Sequence, residues 1–331
     1  MNPQTAGDEA SLERLAECGD PTAQFAYAKL LLGDPQRTAE GPRAIALIEA
    51  AASNDHADAV AMSALFEATG ALRPQSWSRA FDRLRLAAEL GSESAQGQLL
   101  ILAGRTNESS HENWAGIRGG IDVEKVLAPP ARQVLSQSPK ILAFPGFATG
   151  TECAWAIARA RDLLKPATVF NPASTDQIYH SVRDNSGVEL QLPDMDVVIE
   201  VLRARISAAT RLPVPIFEPT QILHYAIGEQ FRPHHDFLDP EVPAYADELK
   251  TFGQRIATVL IYLNDGYSGG ETVFPNIGLD FRGRTGDALF FTNVDRSGRV
   301  DPMTLHAGTP PTSGEKWVLS QWIRDRLPAR R

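Results

Sequence analysis

The residues best suited by type and spacing to do chemistry lie around residues 221–238, QILHYAIGEQFRPHHDFL, and above all in His234-His235-Asp236. In an extended segment positions i and i+2 point to one face, so His234 and Asp236 can grip one ion while His235 faces away. A third donor must come from elsewhere in the chain, and His306 in LHAG is the candidate. Two imidazoles and one carboxylate on one face of an ion leave its other positions open, a donor set that suits non-haem Fe(II) and dioxygen chemistry.

The chain contains its own control, His56-Ala57-Asp58, in an alanine-rich stretch with helical patterning. Positions two apart on a helix do not face each other, so this pair reads as a solvated helix start, with Asp55 as the N-cap. The second pair differs in its company. It is followed by GGETVFP at 269–275, GDALFF at 286–291, LHAG at 305–308, and Lys316-Trp317 shortly after His306.

Taken in order, Tyr-x-x-Gly, His-x-Asp, Tyr-Leu-Asn-Asp, Gly-Gly-Glu-Thr, Gly-Asp-Ala-Leu, His-Ala-Gly and Gly-x-Lys-Trp make residues 140–327 resemble the prolyl 4-hydroxylase-like 2-oxoglutarate- and Fe(II)-dependent dioxygenases. The resemblance implies Fe(II) held by His234, Asp236 and His306, with no catalytic side chain beyond the metal centre. It implies 2-oxoglutarate as cosubstrate, ascorbate as a further cofactor, and hydroxylation of a C–H bond with release of succinate and CO2. Lys316 is then the partner of the remote cosubstrate carboxylate, and on a strand it shares a face with Val318, Ser320 and Trp322. Tyr225 falls where the family has a tyrosine that hydrogen-bonds the cosubstrate. Trp322 and Arg183 fall at pocket positions, while Phe231 stands where a tyrosine is common. His224, His235 and His180 read as structural and His111 as exposed. Asp265, Glu271 and Asp287 read as turn residues or supports for the ligands.

Substrate readings stay open. A prolyl residue in a peptide or protein leads, a free amino acid or small metabolite is the alternative, and an inert oxygenase domain on an interaction protein is a third. The intact ligand set weighs against the last.

The elements that must position these residues begin at 137–328. Lys140–Phe147 reads as an edge strand, Thr151 as the cap of a helix over ECAWAIARARDLL, and 177–185 as a strand. A second long helix is MDVVIEVLRARISAAT. From Glu218 onward short strands follow one another: RIATVLIYL is rich in β-branched residues, then TVF, LDF, DALFF, MTL and KWVLSQW. This pattern predicts a double-stranded β-helix, a form of jelly roll, buttressed by helices, with a metal in the mouth between two sheets. Residues 237–253, polar and proline-containing, read as a mobile loop over the site.

Upstream, residues 9–105 repeat with a step of 36. Ala16, Ala52 and Ala88 match, as do Ala23, Ala59 and Ala95, Ala44 and Ala80, and Ile48 and Leu84. Gly19 and Gly91 match with Asp55 between them. Such a period predicts an α/α solenoid of stacked helix pairs, with Leu30, Phe66 and Leu102 filling the spaces. AECGDPTA, ASNDHADA and AELGSESA resemble Sel-one-like repeats, relatives of the tetratricopeptide repeat, which implies either a protein partner on the repeats or a stability platform. The whole chain is thus read as α+β. Residues 1–8 read as a disordered start, and 106–136 as a linker with one short helix near 120–127.

With 331 residues, 43% hydrophobic and 22% charged, the chain suits two globular domains. A net charge of −9 argues against nucleic-acid binding. The two cysteines, Cys18 and Cys153, are far apart, which fits a reducing cytoplasm, and no apolar run approaches a signal peptide or membrane span.

Overall fold

The computed structural model describes residues 3–105, 113–167, 169–170, 177–178 and 183–327. His111 and His180, and residues 179–182 of the expected 177–185 strand, lie outside them. Two compact units divide the chain, one of residues 1–127 and 191–202, the other of 128–190 and 203–331.

The first unit is built from helix pairs: α1 (Pro3–Glu17), α2 (Pro21–Gly33), α3 (Gly41–Ser53), α4 (Ala57–Thr69), α5 (Trp77–Glu89) and α6 (Glu93–Leu102). The alanines that define the repeat are buried where helices meet, because only a methyl group lets two backbones approach that closely. Phe66 and Leu102 fill space as expected, but Leu30 is 37% exposed and its neighbour Leu31 takes the interior place.

Period and helix ends coincide. Gly19, Asp55 and Gly91 all have positive φ, reversing the chain after α1, α3 and α5. The next residues, Asp20, His56 and Ser92, accept a hydrogen bond from the backbone N–H three positions on and so cap α2, α4 and α6. The cap of α4 is therefore His56, through Nδ1, and not Asp55, whose left-handed backbone cannot serve as an N-cap. Asp58 accepts from the Ser92 hydroxyl at 2.7 Å. Both members of the control pair are thus spent on helix ends.

Two boundaries differ from expectation. Helix α1 begins at Pro3, a residue type whose fixed φ suits the first turn of a helix, so residues 3–8 of the segment read as disordered are helical. The connector holds two short helices, α7 (Trp114–Gly119) and α8 (Val123–Leu127), rather than one. Asn113 caps α7, which is anchored by buried Ile117 and an Arg118–Asp82 ion pair.

The second unit opens with β1 (Gln133–Gln137) and β2 (Lys140–Phe144), followed by α9 (Gly150–Arg161), β3 (Lys165–Pro166), β4 (Val169–Phe170), β5 (Gln177–Ile178) and β6 (Ser186–Glu189). Helix α10 (Val197–Thr210) starts in the first unit and ends in the second. Then come β7 (Gln221–Tyr225), β8 (Phe231–His234), α11 (Ala246–Phe252), β9 (Arg255–Tyr262), β10 (Ser268–Gly269), β11 (Thr272–Phe274) and β12 (Leu279–Phe281). The last strands are β13 (Ala288–Thr292), β14 (His306–Gly308), β15 (Pro311–Ser313) and β16 (Lys316–Arg324).

Among the described residues an antiparallel sheet runs β1-β2-β13-β9-β16-β7-β6-β3, and a smaller one runs β12-β11-β14-β8. Ile141, Tyr262, Phe274, Leu289, Phe291 and Val318 form a core contributed by both sheets, the arrangement expected of a double-stranded β-helix. β2 is not an edge strand, because β1 turns back and pairs outside it. Met303-Thr304 is a 3-10 turn rather than a strand, leading directly into β14.

Helix α9 is capped by Thr149, not Thr151. Thr149 and Glu152 form a reciprocal capping box, a Thr-x-x-Glu signal that the sequence displays. The same Glu152 carboxylate takes two hydrogen bonds from Arg205 of α10 at 2.9 and 3.0 Å, tying the two buttressing helices together. Residues 237–253 are not a loop over the site. They contain α11, which Arg324 of β16 holds through Gly253 O and Glu248, and none of them lines the cavity described below.

Asp55 is exposed and occupies a position where the neighbouring repeats have glycine. Asp55→Gly should remove the left-handed strain and raise stability by up to about 1 kcal/mol, seen as a small rise in Tm. A fall in Tm would show that the Asp55 side chain contributes to the turn.

Candidate metal centre

β8 and β14 are paired so that His234 lies opposite His306. The pairing then slips: Phe231 lies opposite Gly308, so β8 advances three residues while β14 advances two. This bulge falls at Arg232-Pro233, where proline has no N–H to give the ladder. Its consequence is that Phe231 and His234, three apart, share a side, with their rings stacked at 3.4 Å between centroids and 12° between planes.

Donor atoms of His234, Asp236 and His306 all lie within 4.8 Å of one another, and Asp236 and His306 are buried. Asp236 Oδ1 is 3.6 Å from His234 Nε2 and its Oδ2 is 3.6 Å from His306 Nε2, too long for hydrogen bonds. Both histidines are oriented in the same way. His234 Nδ1 donates to Arg232 O at 2.8 Å and His306 Nδ1 donates to Thr304 O at 3.0 Å. A carbonyl oxygen can only accept, so in the neutral ring the proton is on Nδ1 and Nε2 is left with a lone pair to give. Two such nitrogens and a carboxylate facing one point repel one another unless a cation lies between them. These residues therefore fit a divalent metal.

The protonation states agree with that fit. Burial, helped by the neighbouring His234, lowers His306 to about 4, so its imidazole is neutral at physiological pH. Burial alone would raise the Asp236 carboxyl, while the hydrogen bond from the Thr258 hydroxyl favours its ionised form. Thr258 donates to Asp236 Oδ2 at 2.6 Å and itself accepts from Asn293 Nδ2 at 3.1 Å, which fixes the direction of the hydroxyl proton.

A cavity between the two sheets opens from these three residues. It is lined from β16 by Lys316, Val318, Ser320 and Trp322, the alternate positions expected to share a face. Register sets what stands beside each: Lys316 pairs with Tyr225 of β7, and Trp322 pairs with Thr258 of β9. Lys316 is buried, donates to Gly270 O at 2.7 Å and lies over the rings of Tyr225 and Tyr262. Among the described residues no carboxylate reaches ion-pair distance of its ammonium. Burial, only partly offset by Glu271, lowers it to about 8. Burial also raises the Tyr225 phenol to about 12, so it stays protonated.

Arg183 and Trp322 line the same cavity. Arg183 donates through Nε to Asn185 Oδ1 at 2.7 Å, and its guanidinium lies 4.7 Å from the Phe231 ring centre. Trp322 carries the Arg255 guanidinium 3.7 Å from its ring centre, with Arg255 in turn paired to Glu218. Among the described residues, His235 and His224 stand apart from the cluster. His235 bonds Pro302 O, and His224 bridges the Ser186 hydroxyl and Glu315. Glu271 accepts from Thr309, Asp287 from the N–H groups of Gly146 and Arg284, and Asp265 from that of Thr285, as turn residues do.

Residues 220–324 match the family model of the 2OG-Fe(II) oxygenase superfamily. Probable prolyl 4-hydroxylase 9 of Arabidopsis thaliana is 33% identical over 236 residues, covering 66% of this chain and 80% of that protein. The chain belongs to the prolyl 4-hydroxylase family of 2OG-Fe(II) oxygenases. It is a 2-oxoglutarate-dependent dioxygenase that uses Fe(II). Among solved structures, a viral collagen prolyl hydroxylase from Paramecium Bursaria Chlorella virus-1 aligns at 27% identity and a TM-score of 0.41, over 55% of this oxygenase and 94% of the viral chain. A Sel1 repeat protein from Oxalobacter formigenes aligns at 22% identity and a TM-score of 0.27, over 36% of this chain and 51% of its own. No described helix is long and apolar enough to cross a membrane.

Sequence reasoning missed Thr258 and Asn293. Alternation along β9 puts Thr258 in phase with Leu260 and Tyr262 on the inner face, which is the signal that could have found it. Thr258→Val keeps the shape but removes the hydrogen bond to Asp236. Divalent-metal affinity should fall by about ten- to a hundredfold in a Co(II) titration. Unchanged affinity would mean that Asp236 needs no such support.

Proposed function

We propose that this dioxygenase hydroxylates a prolyl residue in a peptide or protein, with Fe(II) held by His234, Asp236 and His306. The observation that carries the reading is the convergence of two imidazole nitrogens and a carboxylate at one end of a cavity whose buried lysine, Lys316, has no carboxylate at ion-pair distance among the described residues. The prolyl 4-hydroxylase relatives give the substrate class.

When bound, Fe(II) with 2-oxoglutarate supplies dioxygen-dependent oxidation of a C–H bond, releasing succinate and CO2. The protein's own part is positioning. Lys316 offers an ammonium to the remote cosubstrate carboxylate, and the protonated Tyr225 hydroxyl beside it is a second donor. Thr258 holds Asp236 ionised and oriented. Arg183 and Trp322 bound the rest of the cavity, where a substrate carbonyl and a pyrrolidine ring find a fixed donor and an aromatic wall. The helical repeats read as Sel-one-like and as a surface for a protein partner. Two unpaired cysteines, Cys18 and Cys153, support a reducing cytoplasmic setting.

His234→Ala, Asp236→Ala and His306→Ala should each abolish Fe(II)-dependent succinate formation, while His56→Ala and Asp58→Ala leave it near the parent level. Loss of activity in a folded His56 variant would overturn this choice of ligands. Across a panel of prolyl peptides and free amino acids, succinate release should rise with the peptides. Stimulation by free amino acids alone would move the substrate to a small molecule.

Lys316→Met should weaken 2-oxoglutarate binding by about 2–5 kcal/mol, the range for removing one partner of a buried charge pair, with metal binding intact. The same charge sets a pH dependence. Binding of the dianion needs the protonated lysine, whose pKa in the free protein is lowered to about 8. Affinity is thus full below that pH and falls by roughly tenfold per unit above it. A flat affinity from pH 7 to about 9.5 in a calorimetric titration would remove Lys316 from the cosubstrate site.

A further inference from the structure

Phe231 occupies an unusual position in this cavity. It stacks face to face on the imidazole of His234 at 3.4 Å, lines the cavity, and is only half-buried. The other aromatic rings near the candidate ligands differ in one of these respects. Phe274 and Phe291 touch His306, but both are fully buried in the core and neither lines the cavity. Tyr225 lines it at the Lys316 end, and Trp322 is covered by Arg255. Among the described residues Phe231 is thus the aromatic ring that both touches a ligand imidazole and faces the reaction space. The β8 bulge at Arg232-Pro233 puts the Phe231 side chain on the same side of the strand as His234.

We propose that Phe231 is a self-hydroxylation site, converted to a tyrosine when the enzyme turns over 2-oxoglutarate with no substrate in place. The proposal rests on the dioxygenase reading above. The balance closes with reactants that reading supplies. One atom of dioxygen enters the new succinate carboxylate as 2-oxoglutarate loses CO2, and the other replaces an aromatic C–H of Phe231 by C–OH. The cosubstrate and the ring each give up two electrons, and dioxygen takes up four. The ring proton is retained as the hydroxyl proton or exchanged with water. A bound substrate places its own C–H bond in the reaction space and protects the ring, so the modification belongs to uncoupled cycles. Its product is a tyrosine whose phenol lies in the cavity beside Arg183 and His234, where it adds a hydroxyl to the substrate-binding surface.

The test uses the full chain with Fe(II), 2-oxoglutarate and isotopically heavy dioxygen, without substrate. Succinate is measured in the same tube, and the protein is then digested and sequenced by mass spectrometry. The expected result is one heavy oxygen atom on Phe231, rising with succinate and reduced when a turned-over prolyl peptide is added. In Phe231→Leu the oxygen gained by that peptide per succinate released should fall to the level of the control without 2-oxoglutarate. Succinate without label on Phe231, or label confined to Met303 or Trp322, overturns the proposal while leaving the dioxygenase reading in place. Label on Phe231 that persists without 2-oxoglutarate shows adventitious iron oxidation and overturns it too. Absence of both succinate and label fails the dioxygenase reading itself, and the proposal with it.

Discussion

Three lone-pair donors pointed at one place are the constraint on which the rest of this protein depends. The Nε2 lone pairs of two neutral imidazoles and an ionised carboxylate, 3.6 Å apart, repel one another in a buried setting. Such a cluster persists only if the surrounding structure holds each member independently. Here the histidines are held by backbone carbonyls of Arg232 and Thr304, and the carboxylate by Thr258, itself fixed by Asn293. A divalent cation turns that repulsion into attraction, which makes metal binding a source of stability for the mouth of the sheets.

Sheet geometry then converts one centre into a directed cavity. The alternation of β16 places Lys316 and Trp322 on the same face, and antiparallel register puts Tyr225 beside the first and Thr258 beside the second. One strand therefore measures out the cavity from its cationic end to its aromatic end, and the smaller sheet brings His234 and His306 against it. The Arg324–Glu248 and Arg324–Gly253 contacts keep α11 fixed to the far end of that strand. The segment expected to be mobile is thus part of the frame.

Much of this was legible in the sequence because it rests on local rules. Period-two alternation gave the β16 face, the ordered motifs gave His234, Asp236, His306 and Lys316, and the recurrence of small residues gave the helix pairs. What escaped was set by partners distant in sequence or by the fine detail of caps. Thr258 looks like any β-branched strand residue until Asp236 folds against it. His56 rather than Asp55 caps α4 because the preceding residue must take a left-handed turn, which glycine announces in the other repeats and aspartate does not. Thr149 was passed over for Thr151 although its glutamate three residues on was visible. The bulge at Arg232-Pro233 depends on pairing with β14, so the stacking of Phe231 on His234 could not be read from spacing alone.

The central claim is that His234, Asp236 and His306 ligate one iron. X-ray absorption of the anaerobic Fe(II)-loaded protein tests it most directly, because scattering from imidazole rings counts histidine ligands without reference to turnover. Two imidazoles are expected in the wild-type spectrum and one in His306→Ala or His234→Ala, with His235→Ala and His224→Ala unchanged. Spectra that stay the same when His234 or His306 is removed, or that lose an imidazole with His235 or His224, would contradict it.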